Sequence, residues 1–169
     1  EANIQDEPES QVKVGGKLSK PVFKSLVFIL LSVFLWFMAY NAVTTAFSRY
    51  CVAVWKVDLG TSSSYLLAAT VAAIAAFVPL GMLSSKVGRK ITVLIGVAVM
   101  TVCYASAIFI RQETPIMYAI FAIVGIGWAA INVNSFPMVV EMCSGADVGK
   151  YTGFYYTFSM AAQISAPLL

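Results

Sequence analysis

Five long apolar runs alternate with short polar connectors along most of the chain, and they predict five membrane-spanning helices. At about 1.5 Å per residue, each run is long enough to cross a hydrocarbon core about 30 Å thick. The runs lack the alternation of barrel strands, and backbone polar groups in lipid must be bonded internally, so helices are the expected structure. The predicted helices cover residues 25–48, 65–83, 91–110, 116–140 and 151–169.

Residues 1–24 differ from the rest of the chain, because they are polar and show no apolar periodicity. They carry mixed charge around Gly15 and Gly16, and the charge changes from acidic to basic towards the first apolar run. Such a segment is typical of a flexible linker that lies against the cytoplasmic leaflet. The chain starts at Glu1 and ends at Leu169 inside an apolar run, so we expect it to be a piece of a longer protein.

Composition strengthens the prediction of an all-α integral membrane protein. Hydrophobic residues make up 60% of the chain, charged residues only 11%, and the mean hydropathy is +0.84. A water-soluble domain could not bury so many apolar side chains behind so few charges. The class of soluble globular proteins is therefore excluded.

The distribution of lysine and arginine predicts the orientation in the membrane. If the path alternates across the bilayer, one side holds eight cationic residues: Lys13, Lys17, Lys20, Lys24, Lys86, Arg89, Lys90 and Lys150. The other side holds three: Arg49, Lys56 and Arg111. Cytoplasmic loops carry the excess of positive charge, so the first set and the N-terminal segment are expected inside. The expected location is the cell membrane, crossed several times.

The most specific motif is the basic turn between the second and third predicted helices. It is rich in glycine and cations, and its candidate functional residues are Gly81, Lys86, Gly88, Arg89 and Lys90. Gly88 allows a left-handed backbone, and the cations face the anionic leaflet and helix C-terminal carbonyls. A generic basic hairpin that obeys the positive-inside rule would look similar, so these residues alone leave both interpretations open.

The spacing of this turn resembles the signature loop of the major facilitator superfamily, with Gly81, Leu83, Lys86, Gly88, Arg89 and Lys90 at matching positions. Ser85 stands where the family usually has an aspartate, which favours the second occurrence of the loop, after the eighth helix. Further stretches resemble helices seven, ten and eleven of the bacterial branch similar to sucrose and glycoside–cation symporters. They are residues 36–47, residues 125–137 with Glu141 and Met142, and residues 149–153.

This resemblance implies a twelve-helix fold in which two six-helix bundles rock about a central site. The chain would supply five helices of the second bundle, with the first bundle and the last helix missing, and by itself it should not transport. The implied function is secondary active transport of a sugar-like solute with a proton or another cation, by alternating access. The implied partners are the solute, the coupling ion, the lipid bilayer and the missing N-terminal bundle.

Polar and aromatic side chains inside two helices are candidates for a substrate cavity. On the first helix, Trp36, Tyr40 and Thr44 share one face, and Asn41 lies on the adjacent one. On the fourth helix, Trp128 and Asn132 share a face, and Asn134 lies on another, in a segment that Pro137 is expected to bend or open. Amides and aromatic rings suit a sugar, but the same residues could instead join helices by hydrogen bonds.

Glu141 is the carboxylate nearest to a helix interior, at the cytoplasmic end of the fourth predicted helix. An acid at such a place is a functional candidate by default. Three roles stay open: a gate salt bridge with Arg89 or Lys90, a simple interfacial charge, and the proton-coupling acid.

Catalytic chemistry has little support in this sequence. It contains no histidine, its three cysteines are scattered, and it has no phosphate-binding Gly-Lys-Ser/Thr loop. We therefore expect no enzyme activity, catalytic residue, metal site, cofactor or nucleic-acid partner. The alternative to a transporter is a non-transporting helical membrane module or assembly partner, in which the polar stripes only hold helices together.

Overall fold

A computed structural model describes residues 20–142 and 147–168, and all regular structure in these ranges is helical. Five helices are present: α1 Lys20–Tyr50, α2 Leu59–Val87, α3 Arg89–Ala107, α4 Ile116–Val140 and α5 Val148–Ser165. A π-helical turn, Cys51–Trp55, extends α1, and a 3-10 turn, Ala166–Leu168, follows α5. Residues 1–19 of the predicted linker lie outside the described residues, and α1 begins within the remainder of it.

Four of these helices are long and apolar enough to cross a membrane, which makes the chain a multi-pass membrane protein. They are Lys20–Trp55, Leu59–Val87, Arg89–Ala107 and Ile116–Val140. The prediction of five transmembrane helices is thus one too many for the described residues. The difference lies in α5, whose 18 residues include tyrosines, threonines, serines and Gln163 among the apolar positions.

Helix α4 is the centre of the packing, because its glycines let two neighbours approach at backbone distance. A Cβ atom added to Gly125 would lie 2.7 Å from the carbonyl carbon of Ala69 on α2. A Cβ added to Gly96 on α3 would lie 2.8 Å from the carbonyl oxygen of Gly127 on α4. Helix pairs in membranes gain van der Waals contact when small residues face each other in this way.

Helix α1 packs mainly against α5, and the end of α4 joins them. Buried Leu26, Leu30 and Val33 of α1 form one apolar cluster with Tyr151 and Tyr155 of α5 and with Val139 of α4. The Tyr155 hydroxyl is 3.0 Å from Oγ of Ser135, a hydrogen bond between α5 and α4. The arrangement leaves a cleft between α1, α4 and α5.

Of the bend or opening expected at Pro137, the opening is wrong, and the bend stays a prediction. The helix continues without interruption to Val140, and the amide N–H of Glu141 still donates to the Pro137 carbonyl at 2.9 Å. A proline removes only its own N–H bond to the carbonyl four residues earlier, and the bonds on either side can persist. The residues around Asn132 and Asn134 are therefore presented by a helix and not by unwound backbone.

The N-terminal end of α2 is fixed by a side-chain cap. Asp58 accepts hydrogen bonds from the backbone N–H and the hydroxyl of Thr61, at 3.0 and 2.6 Å. These bonds stabilise the charged carboxylate and lower the pKa of Asp58. The connector from α1 reaches this cap through Lys56, whose φ of 59° is left-handed.

Candidate functional site

An aromatic cluster at mid-length of the helices brings together three of the predicted cavity residues. The ring of Trp128 on α4 is 6.5 Å from Trp36 and 5.9 Å from Tyr40, both on α1. Phe77 of α2 completes the cluster, with its ring 5.8 Å from Trp128. Three helices thus meet at one tryptophan.

The indole N–H groups of Trp36 and Trp128 are buried, and neither has a hydrogen-bond partner among the described residues. A buried donor without a partner costs about 1–3 kcal/mol. Of the two residues, Trp128 also lines cavities, so its N–H is the one placed to meet an acceptor on a bound molecule or a water.

Trp128 borders two separate cavities. One, of about 170 Å³, is lined by Tyr40 of α1, Trp128, and residues of α2 that include Thr70 and Phe77. The other is a cleft of about 400 Å³ between α1, α4 and α5, which we call the α4–α5 cleft. Its lining residues are Phe37, Trp128, Asn132, Phe136, Tyr155, Tyr156, Ser159, Met160 and Gln163.

The α4–α5 cleft contains two predicted residues, Trp128 and Asn132, but its wall on α5 was not predicted from the sequence. Tyr156, Ser159 and Gln163 supply the polar groups of that wall. Their spacing of three and four residues places them on one helical face, and that signal is readable in the sequence.

A larger cavity, of about 460 Å³, lies between α1, α3 and α4, at the C-terminal end of α1. Its lining is almost entirely apolar and includes Phe47, Tyr50, Trp55 and Tyr104. A polar solute would find few hydrogen-bond partners there. Size alone therefore does not make this cavity the better candidate site.

The remaining predicted cavity residues are bonded within their own helices. Asn41 donates its amide to the Phe37 carbonyl at 2.8 Å, and the Thr44 hydroxyl donates to the Asn41 carbonyl at 3.1 Å. Neither residue lines the α4–α5 cleft or the smaller cavity at Trp128.

Asn134 is 1% exposed and donates its amide to the Ala130 carbonyl at 2.7 Å. Its amide oxygen is buried without a partner among the described residues. The side chain is thus in the packed interior and does not line either of the two cavities that Trp128 borders. The structure separates Asn132 from Asn134, although a single residue lies between them in the sequence.

The basic turn joins α2 to α3 through a single glycine. Gly88 has φ 97° and ψ 138°, a conformation that residues with a side chain rarely adopt, and α3 begins at the next residue. Its N–H donates to the Ser84 carbonyl at 2.9 Å, and its carbonyl accepts from the N–H of Thr92 at 3.2 Å. The two helices are thereby connected without a loop.

The other residues of the turn divide by exposure. Lys86 and Lys90 are exposed, as is Ser85 at the position of the family's aspartate. A Cβ added to Gly81 would only be in ordinary contact with Val133, at 3.6 Å from Cγ1. Close backbone approach therefore does not explain a glycine at position 81.

Arg89 and Glu141 form an ion pair between guanidinium Nη1 and carboxylate Oε1. The sequence predicts that these two residues lie close together, and the ion pair confirms it. A role of the pair as a gate stays a prediction. The side chains are 35% and 60% exposed, so water screens the pair. Within the described residues, no group of three or more histidine, cysteine, aspartate or glutamate residues could hold a metal ion.

Comparison with known proteins gives one match. A sequence model described as the Major Facilitator Superfamily matches residues 3–167, which is nearly the whole chain. No curated protein and no solved structure matches the chain significantly.

Proposed function

This chain belongs to the Major Facilitator Superfamily, and we propose that it forms part of a secondary active transporter for a sugar-like solute. Members of this superfamily are transporters, not enzymes, and bind small-molecule solutes within the membrane. The sugar, and its symport with a proton or another cation by alternating access, are our proposals.

The observation that carries the proposal is the α4–α5 cleft. Its volume of about 400 Å³ falls in the usual range of small-molecule sites, about 300–1,000 Å³. Aromatic rings from three helices offer apolar faces, and Asn132, Ser159 and Gln163 offer hydrogen-bonding groups. A sugar has the same two kinds of surface, because its ring faces are apolar and its edges carry hydroxyl groups.

We further propose that the chain is the second half of the transporter, with an N-terminal six-helix bundle before it and the basic turn on the cytoplasmic side of the cell membrane. Ser85 in place of the aspartate, and the basic residues that precede α1, support this placement. The central site would then lie between the α4–α5 cleft and the first bundle.

The ion pair supports a gating role for Glu141 over a coupling role. A coupling acid changes its protonation inside the transport path, whereas Glu141 is 60% exposed and paired with Arg89. We therefore place the coupling acid in the first bundle. In that arrangement the Arg89–Glu141 pair holds the cytoplasmic ends of α3 and α4 together in one state of the cycle.

The alternative is a helical module without transport activity. It requires the polar residues within α1 and α4 to join helices by hydrogen bonds. Asn41 and Asn132 instead donate their amides to carbonyls of their own helices, at 2.8 and 3.1 Å. This pattern favours the transporter. Under the alternative, Asn41→Ala and Asn132→Ala would reduce expression or stability and leave all solute binding unchanged.

Uptake by vesicles tests the proposed coupling. The full-length protein that contains this chain is reconstituted, and uptake of labelled neutral sugars is measured with an imposed proton gradient and with a sodium gradient. We expect one gradient to drive accumulation, and an ionophore that dissipates it to abolish accumulation. Uptake that is insensitive to both gradients would exclude symport with protons or sodium while leaving a transporter of the superfamily.

A further inference from the structure

The α5 wall of the α4–α5 cleft presents hydrogen-bond acceptors. The amide nitrogen of Gln163 donates to the Ser159 carbonyl at 3.3 Å, and that of Asn132 donates to the Trp128 carbonyl at 3.1 Å. Each side chain is thereby held against its own helix by its NH₂ group. The two amide oxygens, Oε1 and Oδ1, are acceptors on residues that line the cleft, and each NH₂ group keeps a second N–H.

Acceptors at the cleft favour a ligand that donates. A hydroxyl group of a solute can give its proton to either amide oxygen, whereas an ether or a carboxylate oxygen cannot. When a ligand binds, it displaces the water that donates to these amide oxygens. If the ligand brings no donor of its own, the oxygens stay unpaired and the affinity for that ligand falls strongly, so the site rejects analogues that lack the hydroxyl.

The charge of the cleft restricts the ligand further. All nine of its lining residues are uncharged: five aromatic residues, two amides, one serine and one methionine. An anion could accept from neutral donors such as the Trp128 indole, but no cation among these residues would balance it, and burying an unpaired charge is costly. An organic cation could rest on the aromatic faces, although no carboxylate among the lining residues would balance it.

We propose that Gln163 is a specificity-determining residue, which together with Asn132 selects a neutral, hydroxyl-rich solute by accepting hydrogen bonds from it. The inference rests on the proposed function, since it assigns the solute-reading groups of the same cleft. Trp128 and Tyr156 provide ring faces beside these two acceptors. The donating partner is the hydroxyl edge of the solute.

The test measures binding to the reconstituted full-length protein for a panel of neutral mono- and disaccharides, with tetramethylammonium and gluconate as charged members. For the tightest neutral binder, analogues with one hydroxyl replaced by fluorine are then compared, since fluorine keeps the size and removes the donor. We expect at least one such analogue to bind wild type about three- to tenfold more weakly, the effect of one neutral hydrogen bond.

The variants locate that effect. Gln163→Leu should weaken the parent sugar by about three- to tenfold and make the fluorinated analogue and the parent sugar bind equally. The matched control Gln112→Leu, at an exposed residue in the α3–α4 connector, should behave as wild type. If Gln163→Leu fails to fold, Gln163→Glu takes its place: it keeps the acceptors and adds charge, so tetramethylammonium should begin to bind.

Three outcomes would overturn the proposal. If wild type binds and transports a neutral sugar, and Gln163→Leu shows the same loss on fluorination, the sugar transporter stands and the role of Gln163 fails. If tetramethylammonium or gluconate binds wild type more tightly than every sugar, the solute class is wrong. If no sugar binds and none is transported, both the inference and the proposed sugar transport fail.

Discussion

The guanidinium of Arg89 and the carboxylate of Glu141 form an ion pair that links the first residue of α3 to the residue that follows α4. The two helices are already packed closely at Gly96 and Gly127, so the pair adds an electrostatic contact at the end of an existing interface. Its partial exposure limits its free energy to about 0.2–1 kcal/mol. A contact of this size can open and close during a transport cycle.

Charge reversal tests the proposed gate. Arg89→Glu places two carboxylates together, so we expect the balance between the two access states to shift by up to about fivefold and uptake to fall. Arg89→Glu combined with Glu141→Arg should restore uptake towards wild type. The adjacent Lys90→Glu serves as the control, since it makes the same change of net charge at an exposed site. Rescue of Lys90→Glu by Glu141→Arg to the same extent would contradict a specific pair.

The close contact between Gly125 and Ala69 predicts that adding one methyl group at position 125 lowers the unfolding free energy substantially. Gly125→Ala would force α2 and α4 apart or shift their register, and overpacking of this kind costs about 1–3 kcal/mol of unfolding free energy. Gly153→Ala is the matched control, because nothing lies within 4 Å of a Cβ added there. The thermal unfolding midpoint in detergent is the measurement. Equal midpoints for the two variants would show that the helices are not packed as described.

The sequence predicts the helical class well, since long apolar runs allow few other structures in a bilayer. The positive φ of Gly88 and the pairing of Arg89 with Glu141 also follow from local reasoning about a tight basic turn. Each of these features depends on neighbours in sequence or on charges at one end of the bundle. Local patterns are sufficient for such features.

The cavity could be predicted only in part, because its composition depends on how helices rotate against one another. Trp36, Tyr40 and Trp128 do meet, but Asn134 is turned into the packed interior and Asn41 is bonded to its own helix. Helical spacing places Gln163 on one face of α5 with Tyr156 and Ser159, but the position of that face beside the cleft depends on packing. Helical spacing identifies a face, and tertiary packing decides which face borders the cleft.

Trp128 should contribute to solute binding through its ring. Trp128→Ala removes the aromatic face between the two cavities, and we expect affinity for the bound sugar to fall by about 2- to 13-fold, the value of an aromatic contact of about 0.5–1.5 kcal/mol. Trp128→Phe keeps a ring and should retain more affinity than Trp128→Ala. Titration of sugar binding measures both, with Trp55→Phe as a control outside the cleft. Equal affinities for all three variants would remove Trp128 from the site.

The pair Asn132 and Asn134 separates binding from packing. Asn132→Leu should weaken sugar binding by about three- to tenfold, since it removes an acceptor at the cleft. Asn134→Leu replaces a buried amide whose oxygen has no partner among the described residues, and such a change is close to neutral or stabilising. Binding titrations and thermal unfolding of both variants give the comparison. The opposite assignment, with binding lost in Asn134→Leu alone, would be inconsistent with the cleft.

Counterflow tests the central claim, a solute-translocating cleft between α4 and α5, most directly. Vesicles that contain the full-length protein are loaded with an unlabelled neutral sugar and diluted into a trace of the same labelled sugar, so that no ion gradient is required. We predict transient accumulation of label by wild type and its strong reduction in Asn132→Leu and Gln163→Leu, with Gln112→Leu unaffected. Accumulation that is equal in wild type and both cleft variants would contradict the account.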